Sequence, residues 1–201
     1  MNIAAVILAA GASDRMLGKH KLLLPVAGRP MITAVVENTV ATSFSPIVVV
    51  TGFGEEELTP VLQGYDVTVV SNPDWMKGMS GSIRVGIEAF PDDINGAFII
   101  LGDMPLLQSA TLETLKDRFL RNQGHKIVYP TYQGQQGHPV LFPARFFPAL
   151  LELTGDQGAK SLLTTFSSEV IDVAVDSREI LIDCDTREDY SQILSSIDKR
   201  G

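Results

Sequence analysis

The sequence predicts an α/β fold of three layers, a mostly parallel sheet with helices on both faces. Two observations carry this reading. Short, near-continuous apolar runs alternate along the chain with amphipathic stretches. Strands that are apolar on both sides need cover on both faces, which parallel sheets obtain from their crossover helices. A length of 201 residues suits one domain, residues 1–201, with room for a sizeable core.

The elements follow in order. Ile3–Leu8 is an unbroken apolar run and reads as a buried strand. Met31–Thr42 is amphipathic and reads as a helix, followed by the β-branched run Ile47–Thr51 as a strand. Helix Glu55–Gln63, strand Val67–Val70 and helix Ser80–Phe90 continue the alternation, the last packing through Ile83 and Ile87. Strand Ala97–Leu101 stops before Pro105, and helix Ser109–Arg121 follows. Lys126–Tyr129 and Val140–Phe142 read as strands. The alternation weakens over Gln133–Pro143, an excursion suited to a second substrate's site. Helices Arg145–Leu153 and Ala159–Phe166, strands Val170–Val173 and Ile180–Ile182, and helix Arg187–Ile197 complete the chain. Asp185-x-x-Glu188 and Thr186-x-x-Asp189 are both capping boxes for that last helix.

The chain carries 16 Lys and Arg against 24 Asp and Glu, a formal charge of −8. That balance argues against broad nucleic-acid or anionic-membrane binding, but not against a nucleotide held in a local basic site. No apolar run approaches the roughly 18 residues that span a bilayer, and no cationic leader precedes an apolar stretch. The single cysteine, Cys184, excludes an internal disulfide and reads as a buried, reduced strand thiol. The expected compartment is the cytoplasm.

Three of the 16 basic residues, Arg15, Lys19 and Lys21, fall within residues 15–21, directly after the first strand. Small residues Ala9-Ala10-Gly11-Ala12-Ser13 let backbone N–H groups approach phosphate oxygens, and the cations neutralise them. The bland alternative is a solvated basic loop. It is not a Walker A loop, since six residues separate Gly11 and Gly18 and His20 follows Lys19. It is not the dinucleotide fingerprint either, since Ala12-Ser13 follow Gly11. His20 is a candidate member of the loop, and His125 reads as a surface residue.

Four further segments are candidates. In Leu101-Gly102-Asp103-Met104-Pro105, Asp103 stands at a strand's carboxyl end, where it either holds Mg²⁺ with phosphate oxygens or orders a turn. Asp183 and Asp185 are two apart and would share a face on a strand. In the stretch 72–86, Gly78 and Ser80 mark a helix start whose free N–H groups suit anions or carbonyls. Trp75 reads as core, and Arg84 as the weakest candidate there. In Gly137-His138-Pro139, the histidine either meets a ligand or is a hydrogen-bonded structural residue.

These segments, taken in their order along the chain, resemble the MobA-like nucleotidyltransferases. The loop resembles L-A-A-G-x-S-x-R-M-G-x-x-K-x-L-L-P, with Leu17 as one extra residue between Met16 and Gly18. Gly102-Asp103-Met104-Pro105, the stretch 72–86, Gly137–Phe142, Gly155-Asp156-x-Gly158-Ala159-Lys160 and Asp183-x-Asp185-Thr186-Arg187-Glu188-Asp189-Tyr190 each match a family element, with Arg187 where Pro is usual. The matches run from Ile3 to Tyr190, and the molybdenum cofactor cytidylyltransferases are the branch most resembled.

The resemblance implies a Rossmann-like nucleotidyltransferase fold and transfer of CMP from CTP to the terminal phosphate of molybdenum-molybdopterin. It implies a nucleotide site at Leu8, Ala9, Ala10, Gly11, Ala12, Ser13, Arg15 and Lys21, with Gly78, Ser80, Ser82 and Asp103. Lys21, Arg15 and Asp103 would be the catalytic groups. Asp103 and Asp185 would hold Mg²⁺, or Mn²⁺ in its place. Gly137, His138 and Pro139, with Gly155, Asp156 and Gly158, would face the acceptor. Ala-Ala-Gly in the loop, and Leu-Leu-Leu-Pro after Lys21, favour CTP over GTP by family correlation. A monomer that transiently meets a molybdenum hydroxylase is the expected assembly. The rival readings are a nucleotidyltransferase using GTP or another acceptor, such as a sugar or polyol phosphate, and a non-catalytic carrier of the cofactor. An oxidoreductase is disfavoured by the missing dinucleotide fingerprint.

Overall fold

A computed structural model of the chain describes residues 1–12, 20–156 and 158–198. Its strands are β1 (Ile3–Ala9), β2 (Pro25–Val26), β3 (Arg29–Pro30), β4 (Ile47–Thr51), β5 (Thr68–Ser71), β6 (Gly96–Leu101), β7 (Ile127–Tyr132), β8 (Gln135–Gln136), β9 (Val140–Pro143) and β10 (Val170–Ala174). Its helices are α1 (Met31–Val40), α2 (Glu55–Leu62), α3 (Met79–Glu88), α4 (Ser109–Arg121), α5 (Phe147–Leu151), α6 (Ser161–Thr165) and α7 (Arg187–Asp198).

The sheet runs β10-β7-β9-β6-β1-β4-β5, with β8 paired to β7. β1 is parallel to both β4 and β6, β4 to β5, and β10 to β7. β9 is antiparallel to β6 and β7. This is the mostly parallel, two-sided sheet that the apolar runs predict. The chain steps outward from β1 through β4 to β5, then crosses back to β6 on β1's other side. Such a reversal opens a crevice at the carboxyl ends of the central strands. Leu8 is in register with Leu101, so the β1 and β6 exits lie side by side. Because β9 runs the other way, with Val140 opposite Ile99, the residues entering it also lie at this end.

Side chains of β1 alternate between two cores. Ile3, Ala5, Ile7 and Ala9 pack with α1, α2 and α4 residues such as Ile32, Leu58 and Phe119. Ala4 and Val6 pack with Ile83 and Ile87 of α3 and with Leu150 and Leu162 on the other face. Helix α3 lies directly on the sheet: a Cβ at Gly86 would stand 2.4 Å from Val6 Cγ1. A third cluster, Val26, Met31, Leu106, Cys184 and Ile193, fastens α7 to the β2–β3 hairpin. Tyr190 Oη adds a 2.6 Å hydrogen bond to the Pro25 carbonyl.

Three sequence expectations are corrected. Ile180–Ile182 is not a strand; residues Arg178–Leu181 form a 3₁₀ turn, and no strand follows before α7. The apolar residues there serve burial rather than pairing, since Ile180 and Cys184 are fully buried. Arg145–Leu153 is a 3₁₀ turn, Ala144–Phe146, leading into the five-residue α5. Ala159–Phe166 shortens to α6.

No helix among the described residues is long and apolar enough to cross a membrane.

Candidate active site

Three chain segments converge at the crevice, and each is held by an apolar anchor. Lys21 opens a 3₁₀ turn, Lys21–Leu23, whose Leu22 is buried in the first core. Asp103 follows β6 after Gly102, whose N–H donates to the Leu8 carbonyl at 2.9 Å. A Cβ at Gly102 would stand 2.7 Å from that same oxygen, so the turn closes tightly against β1. Asp185 follows Cys184, whose side chain is fully buried and whose N–H donates to the Asp103 carbonyl at 3.0 Å. The capping box predicted for α7 forms: Asp189 accepts from the Thr186 N–H at 2.8 Å and the Thr186 hydroxyl accepts from the Asp189 N–H at 3.1 Å. Asp189 also accepts from the Asp185 N–H at 3.2 Å.

The result is a charge cluster. Lys21 Nζ lies 2.6 Å from Asp103 Oδ2 and 2.9 Å from Asp185 Oδ1. Burial works against the ammonium, but the Asp103 and Asp185 carboxylates outweigh it and the Lys21 pKa is raised. Asp183 completes the group: burial, then the charges of Asp103 and Asp185, raise its pKa. Asp183 and Asp185 do not meet through strand alternation, since that segment is not a strand. The fully buried Cys184 lies between them. Burial pushes the Cys184 thiol up to about 11, so it is no nucleophile at neutral pH.

The crevice itself holds about 360 Å³. Its floor is Leu8, Ala9, Ala10, Gly11 and Ala12, with Leu22 and Leu101. Lys21, Asp103 and Asp185 make the charged part of its lining, which Gly78, Ser82 and Asp156 also join. Trp75, Met76 and Met79 form an apolar rim. Trp75 is half-buried and packs against the second core as well, so it serves both roles. Sequence reasoning missed the rim because a Met or Trp flanking a helix is indistinguishable from core without the fold.

The remaining candidates are placed as follows. Ser82 is buried and its hydroxyl accepts from Asn72 Nδ2 at 3.0 Å. Ser80 is buried, is not part of the crevice lining, and spends its N–H on the Gly155 carbonyl at 3.1 Å. The carbonyl acceptor expected at this helix start is thus the chain's own. A Cβ on Gly78 would lie 2.3 Å from Gly155, so the loop carrying Gly155, Asp156 and Gly158 rests on that turn.

Gly137, His138 and Pro139 stand at the same sheet end but outside the crevice lining. The His138 N–H donates to the Ile180 carbonyl at 2.9 Å, and its buried Nδ1 has no hydrogen-bond partner among the described residues. Burial, with the Lys160 charge second, lowers its pKa to about 4. His20 is buried with Nε2 donating to the Phe53 carbonyl at 2.7 Å, which ties it to the β4–α2 connection. Arg84 reaches the Leu151 and Leu153 carbonyls at the end of α5, a capping role. His125 is exposed, as expected. Ser13, Arg15, Lys19 and Gly18 lie outside the described residues.

The converging carboxylates suit a hard divalent cation. Asp103 and Asp185 direct one oxygen each at a single positive charge, Lys21 Nζ. One or two carboxylates completed by phosphate oxygens and water are the usual Mg²⁺ donor set in phosphoryl-transfer sites.

Comparison with known proteins agrees with this architecture. The chain is 28% identical over 191 residues to the molybdenum cofactor cytidylyltransferase of Escherichia coli K12, covering 94% of this chain and 93% of that protein. It superposes on a nucleotidyl transferase from Methanothermobacter with a TM-score of 0.84 at 25% identity, over 100% of this chain and 99% of that one. Rv0371c of Mycobacterium tuberculosis H37Rv, solved in complex with manganese, matches at 0.80 and 29% identity, over 98% of this chain and 100% of its own. The MobA-like NTP transferase domain model matches residues 5–170. The chain therefore belongs to the MobA-like NTP transferase family.

Proposed function

We propose that this chain, acting as one unit over residues 1–201, transfers CMP from CTP to the terminal phosphate of molybdenum-molybdopterin, giving the cytosine dinucleotide cofactor and pyrophosphate. The observation that carries the reading is the meeting of Lys21, Asp103 and Asp185 at one end of a crevice floored by the Leu8–Ala12 backbone. A cation beside two carboxylates, next to a loop of small residues, is equipped for a triphosphate and has no need of a protein nucleophile.

In this reading the acceptor phosphate attacks the α-phosphorus in line and pyrophosphate leaves. Lys21 and Arg15 hold the triphosphate and the charge that develops on the leaving group. A divalent cation on Asp103 and Asp185, Mg²⁺ or Mn²⁺, supplies charge neutralisation across the phosphate oxygens when bound. Ala9, Ala10, Gly11, Ala12 and Ser13 bring backbone N–H groups to the phosphates. Leu8, Gly78, Ser80 and Ser82 frame the nucleoside, the serine at 80 through the turn it anchors. Gly137, His138 and Pro139 receive the acceptor with the loop of Gly155, Asp156 and Gly158. His138 enters this role neutral, since its lowered pKa keeps it uncharged at pH 7. The main task is orientation of two polyanions, which lowers a barrier by roughly 7–11 kcal/mol when geometry is good.

The choice of CTP rests on Ala9-Ala10-Gly11 and on the Escherichia coli relative. The reading takes the chain as a cytoplasmic monomer that hands its product to a molybdenum hydroxylase. The test is pyrophosphate release with Mg²⁺ and molybdenum-loaded molybdopterin, comparing CTP, GTP, ATP and UTP. Release with CTP alone supports the reading. Release with GTP alone overturns the base choice, and release only with a sugar or polyol phosphate as acceptor overturns the acceptor.

A further inference from the structure

Lys21 is committed twice. Its ammonium bridges Asp103 and Asp185 at 2.6 and 2.9 Å, the position that a shared metal ion would fill. The same ammonium is the group that the proposed reaction needs on phosphate oxygens. One charge cannot hold both places, and a divalent cation and an ammonium repel each other at one pair of carboxylates.

We propose that Lys21 is the resident counter-ion of Asp103 and Asp185 in the nucleotide-free chain, and that a polyphosphate, by drawing Lys21 onto itself, opens the pair to a divalent cation. The inference rests on the nucleotidyl-transfer reading and adds an order of binding to it: the metal enters with or after the triphosphate.

The surroundings leave the lysine as the part that moves. Asp103 is held by the Gly102 N–H on Leu8 and by the Cys184 N–H on its own carbonyl. Asp185 is held by Asp189. The Lys21 backbone is held by the 3₁₀ turn and by buried Leu22. What remains free is a flexible four-carbon stem carrying a strongly hydrated point charge. Exchange of one cation for another therefore needs a side-chain rotation and no remodelling of the site. Nucleotide and metal then favour each other's binding, by the same factor in each direction.

The test is Mn²⁺ binding to the full chain without nucleotide, followed by electron paramagnetic resonance. Lys21→Met and Lys21→Gln are expected to bind Mn²⁺ about tenfold or more tighter than the unaltered chain, the scale of one neighbouring charge on a carboxylate site. Lys116→Met removes the same charge from α4, away from the crevice, and is expected to change nothing. Asp103→Asn combined with Lys21→Met should lose the gain. Lys21 variants that bind Mn²⁺ no better than the unaltered chain overturn the proposal, as does an equal gain in Lys116→Met.

A second measurement needs no variant. Saturating inorganic tripolyphosphate, without metal, should shift the Lys21 ammonium resonance in ¹⁵N NMR away from its carboxylate-paired position; an unmoved resonance overturns the proposal. Neither readout uses CTP turnover or an acceptor. Failure of the base or acceptor choice, seen as absent pyrophosphate release, is therefore distinguishable from failure of the exchange.

Discussion

Asp103 separates chemistry from stability at the level of a single side chain. Its turn is held by backbone groups, the Gly102 N–H on Leu8 and the Cys184 N–H on the Asp103 carbonyl, which a substitution leaves in place. Asp103→Ala should therefore lower metal-dependent turnover about 10²-fold or more while leaving the chain folded, because Lys21 retains Asp185. Pyrophosphate release and urea denaturation on the same preparation check both halves.

His138 gives a pH-dependent signature. Its pKa falls from 6.5 to about 4 on folding, so between those values the unfolded chain binds more protons than the folded one. Stability attributable to His138 is thus present above pH 6.5 and lost as pH falls towards 4, by on the order of 3 kcal/mol. His138→Gln should flatten the stability profile across that window, measured as urea midpoints from pH 7 to 4. At this scale the sequence was informative about chemistry but not about surroundings. Asp103, Asp185 and Lys21 stood out by type and motif. That Lys21 touches both acids was invisible, since 82 and 164 residues separate the partners.

Among the elements, α3 shows how closely helix and sheet must meet. A Cβ at Gly86 would fall 2.4 and 2.9 Å from the two Val6 methyls, in a core where Val6 is fully buried. Gly86→Ala should therefore destabilise by about 1–3 kcal/mol despite the better helix propensity of Ala, and chemical denaturation would report it. Elements with strong periodicity were legible: Ile47–Thr51 and Ser109–Arg121 form with the bounds read from the chain. Ile180–Ile182 was misread because three apolar residues look alike whether they pair as a strand or plug a core. Its partners lie in a distant segment: the His138 N–H donates to the Ile180 carbonyl, and Gly137 approaches that carbonyl and the Ile180 side chain so closely that a Cβ there would stand 2.5 Å from the oxygen.

Across the whole molecule, the site depends on a cluster that never touches it. Ile193, fully buried with Val26, Met31, Leu106 and Cys184, joins α7 to the hairpin that follows Lys21. Loosening it should let Asp185 drift from Asp103, to whose carbonyl the neighbouring Cys184 N–H is bonded. Ile193→Ala should cost about 2–5 kcal/mol of stability. It should also raise the divalent cation concentration that supports half-maximal turnover, although Ile193 lies outside the crevice lining. A metal titration of turnover at a temperature where the variant is fully folded checks this; an unchanged midpoint would detach Asp185 from that cluster.

The sequence by itself determined the layered α/β architecture, because apolar runs covered on both faces have few other solutions. It also determined the family, because six short motifs in one order are far more specific than any alone. The tertiary structure decided which residues share a charge and which carbonyl occupies the α3 N-terminus. It also decided that Trp75 and its neighbouring methionines border the crevice rather than only fill a core. The physical reason is range. Periodicity and turn chemistry act over a few residues, whereas the Lys21–Asp103–Asp185 cluster and the third core exist only once the sheet has brought distant segments together.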